Sequence, residues 1–179
     1  SSRKDLLHPI HLEAVRRHLS KYWKAEEVNG MEADDALGIA QTEYQDSSVI
    51  CSIDKDLLQV PGYHYNFVKR EHSFISPFDG LRRFYKQIIT GDAADGVPAF
   101  DGKFRNQVPK FVQKLLDPID EMTEEADMYE YVRWHIYENQ SDQYGVFTEQ
   151  VLHRNAQLLY ILREEGKFWR PPSLSSEVI

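Results

Sequence analysis

The order of periodicities along this chain predicts an α/β fold with a parallel sheet and a C-terminal helical region. Three observations carry the prediction. Helical spacing alternates with short β-branched runs over the first half. The second half carries helical spacing alone. Segments rich in Gly, Asp and Pro fall where one period gives way to another.

Taken in order, Leu12, Val15, Leu19, Tyr22 and Trp23 make a helical stripe. "AEEVNG", residues 25–30, reads as a short strand. "EADDALGIAQTEY" returns to helix, with Ala33, Leu37, Ala40 and Tyr44 on one face. "SSVICSI", residues 47–53, is a β-branched run of the kind found in buried strands, which makes Cys51 an inert buried hydrophobe. "GYHYNFVKREHSFIS" alternates as two strands around a polar turn. Ser76-Pro77-Phe78-Asp79 has the form of an N-cap, a first-turn proline and a capping acid. The helix it starts continues through Leu81, Phe84, Tyr85, Ile88 and Ile89. "TGDAADGVPAFDGKFRN" reads as loop, and helices are expected over 106–117, 124–139 and 144–165. Tyr129, Tyr131, Trp134 and Tyr137 fit core packing better than base stacking. The expected division is 1–98 for the α/β part, 99–172 for the helical part and 173–179 for a disordered, Ser-rich tail.

The composition is globular, with 41% hydrophobic and 28% charged residues over 179 positions. No apolar run reaches the length of a membrane span, and one cysteine cannot close an internal disulfide. An intracellular, cytoplasmic setting follows as the expectation. The seven histidines are scattered without thiol or acid partners in metal-ligand spacing.

The acids are not scattered. Glu32, Asp34 and Asp35 open one helix; Asp54 and Asp56 follow the strand at 47–53; Asp92 and Asp95 follow the helix at 78–90. Each group has an ordinary explanation, as first-turn acids at a helix dipole, as caps or as turn formers. In a parallel α/β sheet, however, all three fall at the edge where the strands end. Seven carboxylates gathered there repel one another unless cations neutralise them. Oxygen ligands without His or Cys favour Mg²⁺ or Mn²⁺ over zinc. Two such ions clamping a phosphodiester is the chemistry that uses so many acids.

"GMEADDALG", "SIDKDLLQ" and "ITGDAADGVPAF", in that order, resemble the 5′ nuclease family, which includes flap endonucleases and phage 5′→3′ exonucleases. The resemblance implies a PIN-like 5′ nuclease core. It implies hydrolysis of DNA or RNA–DNA phosphodiesters at 5′ ends, flaps and nicks. By position, Glu32, Asp34 and Asp35 would serve a first metal, Asp54 would lie between the metals or bind the first, and Asp56, Asp92 and Asp95 would serve the second. Glu32, Asp35 and Asp54 would stand closest to the chemistry. The tail "EEGKFWRPP" is similar to a phage exonuclease C-terminus.

Two departures qualify the resemblance. Members of the family begin with an Asp-bearing strand and a basic arch, whereas this chain opens at "SSRKDLLHP", which is similar to the end of that arch. The expectation is a fragment with little activity alone, or a missing part supplied by a second polypeptide. The family's glycine-rich hairpin is largely replaced by "AFDGKFRNQVPKFVQKLL", which puts its K⁺ site in doubt. Gly102, Lys103, Arg105, Lys110 and Lys114 remain as candidate contacts to DNA phosphates. Setting the seven motif acids aside takes the net charge from −8 to −1, so the acidic total does not exclude DNA. Two other readings compete. One is a catalytically incomplete DNA-binding protein of the same fold. The other is an unrelated Mg²⁺ phosphohydrolase with Asp54 as nucleophile.

Overall fold

A computed structural model describes residues 9–173. The beginning of the arch-like opening and the tail from residue 174 lie outside the described residues. The chain forms two compact units, one ending at Ala33 and the other beginning at Asp34.

The first unit contains α1 (Leu12–Trp23). Its start is marked by Glu13 in the first turn. Its end is a left-handed Lys24, beyond which the Ala25 N–H donates to the Leu19 carbonyl at 3.2 Å. No α1 residue is buried. The expected strand at 25–30 is absent: Glu26, Glu27 and Asn29 are exposed, and no described strand pairs with this segment.

The second unit is α/β. Helix α2 (Ala33–Tyr44) leads through one 3₁₀ turn into β1 (Val49–Cys51). After a second 3₁₀ turn, Asp56–Gln59, come β2 (Gly62–Asn66) and β3 (Glu71–Ile75). The sheet order is β1-β2-β3. The first pair is parallel and the second antiparallel, so the sheet is mixed where a parallel one was expected. The cause is local. The connection at 67–70 is too short for a parallel crossover, and Asn66 Oδ1 ties it into a turn by accepting the N–H groups of Val68 and Lys69.

Two further expectations of burial change. In β1, Ile50 points into the core while Cys51 is exposed, because one face of the sheet is uncovered among the described residues. In α2 the buried positions are Gly38 and Gln41, whereas Leu37 and Tyr44 are exposed. Gln41 is satisfied inside: it donates to the Tyr63 carbonyl at 3.3 Å and accepts from the Ser48 hydroxyl at 2.9 Å.

Helix α3 (Pro77–Thr90) begins as its sequence directs, with Pro77 in the first turn and Ser76 Oγ accepting the Asp79 N–H at 3.1 Å. Helix α4 (Lys110–Glu121) starts later than expected, because Pro109 disfavours helix at the residue before it. It also runs on through Pro118. The carbonyl that Pro118 leaves without its helical donor belongs to Lys114, and both residues are exposed, so it lies open to solvent. Helices α5 (Glu125–Tyr144) and α6 (Thr148–Leu159) complete the bundle. Phe84, Ile88, Val112, Met128, Val132 and Leu152 form its core. Tyr129 belongs to that core, whereas Trp134 is exposed.

Helix α6 ends six residues short of the expected 165. The chain then turns back over the unit, and Ile161, Leu162 and Trp169 are buried along the way. Trp169 lies 5.7 Å from Phe84 and 6.0 Å from Tyr129, ring centre to ring centre. Burying an aromatic of this size stabilises by several kcal/mol, roughly 25 cal/mol per Å². No described helix is long and apolar enough to cross a membrane.

Candidate metal centre

The turn after β1 is built by the polar residues themselves. Ser52 Oγ accepts the Asp54 N–H at 3.0 Å, and Asp54 Oδ1 accepts the Asp56 N–H at 3.0 Å. The 3₁₀ turn that follows is pinned from inside by Gln59, which is almost fully buried. Its amide nitrogen donates to the Leu159 carbonyl at 2.7 Å and to Gln87 Oε1 at 3.0 Å; its Oε1 accepts the Ile161 N–H at 3.2 Å. Arg163 Nη2 donates to the Gln59 carbonyl at 2.7 Å. Gly80 lets α3 approach this turn: a Cβ there would stand 2.4 Å from the Gln59 carbonyl oxygen. The turn carrying Asp54 and Asp56 is thus held against α3.

The opposite end of α3 supplies the second pair of acids. Gly91 ends the helix with φ +66°, and a Cβ on it would lie 2.5 Å from Ala99 N. Asp92 and Val97 then exchange two backbone hydrogen bonds at 2.8 Å. Asp92 Oδ1 accepts the N–H groups of Ala94 (2.7 Å) and Asp95 (3.3 Å). The turn-forming and capping explanations therefore hold locally for Asp54 and Asp92.

They do not exhaust these residues. Burial pushes the Asp56 carboxyl above its ordinary range, and the charges of Asp54, Asp92 and Asp95 push it the same way. Arg83, on α3, opposes them. Four of the seven candidate acids, from two groups far apart in the chain, thus act on one place. Asp56 and Asp92 both border an open cavity of about 490 Å³, together with Arg82, Arg83 and Lys86. The donor set is all oxygen and suits a hard divalent cation. Among the described residues no three His, Cys, Asp or Glu side chains close on one point as a ready-made metal cage.

The first acidic group is placed differently. Asp34 and Asp35 are half-buried in the first turn of α2. Asp35 Oδ1 accepts the Leu162 N–H at 2.8 Å, and its charge acts on Arg163. Glu32 is exposed in the first unit.

The candidate DNA contacts lie between α3 and on α4. Gly102 has φ +74° in a turn that brings the Ala99 N–H to the Lys103 carbonyl at 2.9 Å. Arg105 is engaged by Asp101 through both terminal nitrogens, which holds the Asp101 carboxyl below its usual range. Lys103 Nζ stands 3.8 Å from the same carboxylate. Lys110 and Lys114 are exposed on α4.

Sequence reasoning missed Arg83, Gln59 and Arg163. Arg83 borders the apolar stripe of α3, and only its place beside that stripe could have marked it. No family model matches this chain, and no curated protein and no solved structure is matched by it.

Proposed function

We propose that this chain carries the catalytic acids of a divalent-metal-dependent 5′→3′ nuclease, acting on DNA or RNA–DNA strands at 5′ ends, flaps or nicks. The observation that supports the reading most is that Asp56, after β1, and Asp92, after α3, border one cavity, where the charges of Asp54 and Asp95 also act on Asp56. Turn formation accounts for Asp54 and Asp92 one at a time; it gives no reason for the two turns to border one cavity.

In this reading Asp54, Asp56, Asp92 and Asp95 hold Mg²⁺ or Mn²⁺. Glu32, Asp34 and Asp35 belong to the site by resemblance alone. The bound cations would contribute Lewis-acid stabilisation of charge on the phosphoryl oxygens and a lowered pKa of water. Arg83 adds fixed positive charge beside the acids, where a phosphate oxygen gains negative charge. Lys110 and Lys114 offer their charge to the strand backbone.

The test is a single-turnover time course on a 5′-flap and on a nicked duplex, with protein in excess. The reading predicts slow cleavage that needs Mg²⁺ or Mn²⁺ and is lost in Asp54→Asn. Cleavage that survives EDTA or Asp54→Asn would defeat it. A second reading is a DNA-binding protein of the same kind that cuts nothing. It predicts salt-sensitive DNA binding with no metal-dependent cleavage at any protein excess.

A further inference from the structure

A cavity of about 380 Å³ opens beside Asp54, between the turn after β1, the β2–β3 hairpin and α3. Asp54, Lys55, Asn66, Lys69, Ser73 and Arg83 are among its walls. The three cations come from three separate elements. Lys55 belongs to the turn built by Ser52 and Asp54. Lys69 sits in the hairpin turn that Asn66 Oδ1 fixes at 3.0 Å from the Lys69 N–H. Arg83 rises from α3. The walls hold three cations against one carboxylate, Asp54.

Arg83 is the half-buried cation of the three. Its Nε is buried and has no hydrogen-bond partner. Neither Asp54 nor Asp56 reaches ion-pair distance, although both act on the guanidinium through space. The planar fork of a guanidinium matches the oxygens of a tetrahedral oxyanion. The neutral walls suit the same guest. Ser73 offers a hydroxyl, and Ser52 retains its hydroxyl hydrogen while its oxygen accepts the Asp54 N–H. His64 adds no charge: its Nε2 lies 2.8 Å from the Val60 carbonyl, and burial lowers its basicity. A carboxylate ligand would use fewer oxygens and bring one charge against three cations. A phosphate monoester brings up to two charges and three terminal oxygens.

We propose that this cavity is a phosphate subsite, with Arg83, Lys55 and Lys69 as its cationic ligands and the terminal phosphate of a nucleic-acid strand as its guest. The strand's identity rests on the nuclease reading; the seat for a phosphate group rests on the cavity's own walls. Asp54, at the rim, repels that guest in metal-free protein.

The experiment uses the full chain in EDTA at low salt, where no metal chemistry takes place. Inorganic phosphate is titrated and followed by ³¹P line broadening. Affinities for a short single-stranded oligonucleotide with a 5′-phosphate or a 5′-hydroxyl are then compared by fluorescence anisotropy. Phosphate should bind. The 5′-phosphate should add about tenfold in affinity, the weight of one or two charge-assisted contacts. Arg83→Gln and Lys69→Gln should each remove most of that gain, with Arg83→Lys keeping part of it. Asp54→Asn should tighten phosphate binding, an effect that misfolding does not produce. Phosphate binding with no preference between the two oligonucleotides would overturn the strand end as guest and leave the nuclease reading to its own cleavage test. No phosphate binding, or binding unchanged in Arg83→Gln and Lys69→Gln, would overturn the subsite itself.

Discussion

The carboxylate of Asp35 accepts a hydrogen bond from the backbone N–H of Leu162 at 2.8 Å, joining the first turn of α2 to the segment that follows α6. Gly38, one turn further along α2, lies so close to the same segment that a Cβ on it would stand 2.3 Å from the Leu162 carbonyl oxygen. An acid read from the sequence as a metal ligand is therefore also a tether. Asp35→Ala should cost about 1–2 kcal/mol in urea unfolding in EDTA, because a buried N–H loses its acceptor. Asp35→Asn, which keeps an acceptor oxygen, should lie near wild type. Equal stability of Asp35→Ala and wild type would show that the tether contributes nothing.

Gly91 sets the direction of the chain into Asp92. Its positive φ and the backbone packed against it leave no room for a side chain. Gly91→Ala should destabilise by about 2–4 kcal/mol, combining strain with a clash. It should also weaken Mn²⁺ binding, since Asp92 moves with it. Thermal melts with and without Mn²⁺ measure both effects, and a near-neutral Gly91→Ala would show that the loop yields easily.

Asp92 and Asp95 separate turn formation from charge repulsion. Asp92 Oδ1 accepts two N–H groups, while no hydrogen bond to the Asp95 carboxylate is seen among the described residues. In EDTA, Asp95→Asn should raise stability by a few tenths of a kcal/mol, by relieving repulsion on Asp56. Asp92→Ala should lower it by about 1 kcal/mol, because the turn loses its acceptor. The double variant Asp92→Asn with Asp95→Asn keeps the acceptor and loses two charges, so it should be more stable than wild type without metal. A less stable double variant would mean that repulsion at this edge is negligible.

Glu149 ties α5 to α6. It accepts from the hydroxyls of Tyr129 and Tyr137 and from Arg133 Nε at 3.0 Å. Burial acts to raise its pKa, but these three donors outweigh burial and hold the carboxyl below its ordinary value. A carboxyl depressed by folding stabilises the protein above its unfolded pKa, and that contribution fades as pH falls through the folded value. Glu149→Gln should therefore cost about 2 kcal/mol near neutral pH, and the gap to wild type should narrow as the medium is acidified below the ordinary glutamate pKa. Chemical denaturation at a series of pH values gives the comparison; a pH-independent gap would mean that charge is not what Glu149 contributes.

What the sequence made legible was local or periodic. The start of α3 could be read because Ser76, Pro77 and Asp79 act within one turn. The two groups of acids after β1 and after α3 could be placed near each other from the order of elements alone. The mixed sheet was half visible: the polar turn at 67–70 announced a hairpin, while the expectation of parallel strands came from the α/β alternation and overrode it. The stripe on α2 misled because Gln41 is buried through its hydrogen bonds, a partnership that hydropathy does not register. Asp35 and Leu162 are 127 residues apart. Trp169 reaches its core from a segment whose glycine and prolines read as tail. Arg83 Nε is buried without a hydrogen-bond partner, a state that only three-dimensional placement reveals.

Metal-dependent melting tests most directly the proposed divalent-cation site of Asp54, Asp56, Asp92 and Asp95. Binding to the native state alone stabilises by about 2.7 kcal/mol at a hundredfold excess over the dissociation constant. Wild-type protein should therefore melt several degrees higher in saturating Mn²⁺ than in EDTA. The Asp54→Asn, Asp92→Asn variant should lose most of that shift while remaining folded. Superimposable wild-type melting curves in EDTA and in saturating Mn²⁺ would contradict the account.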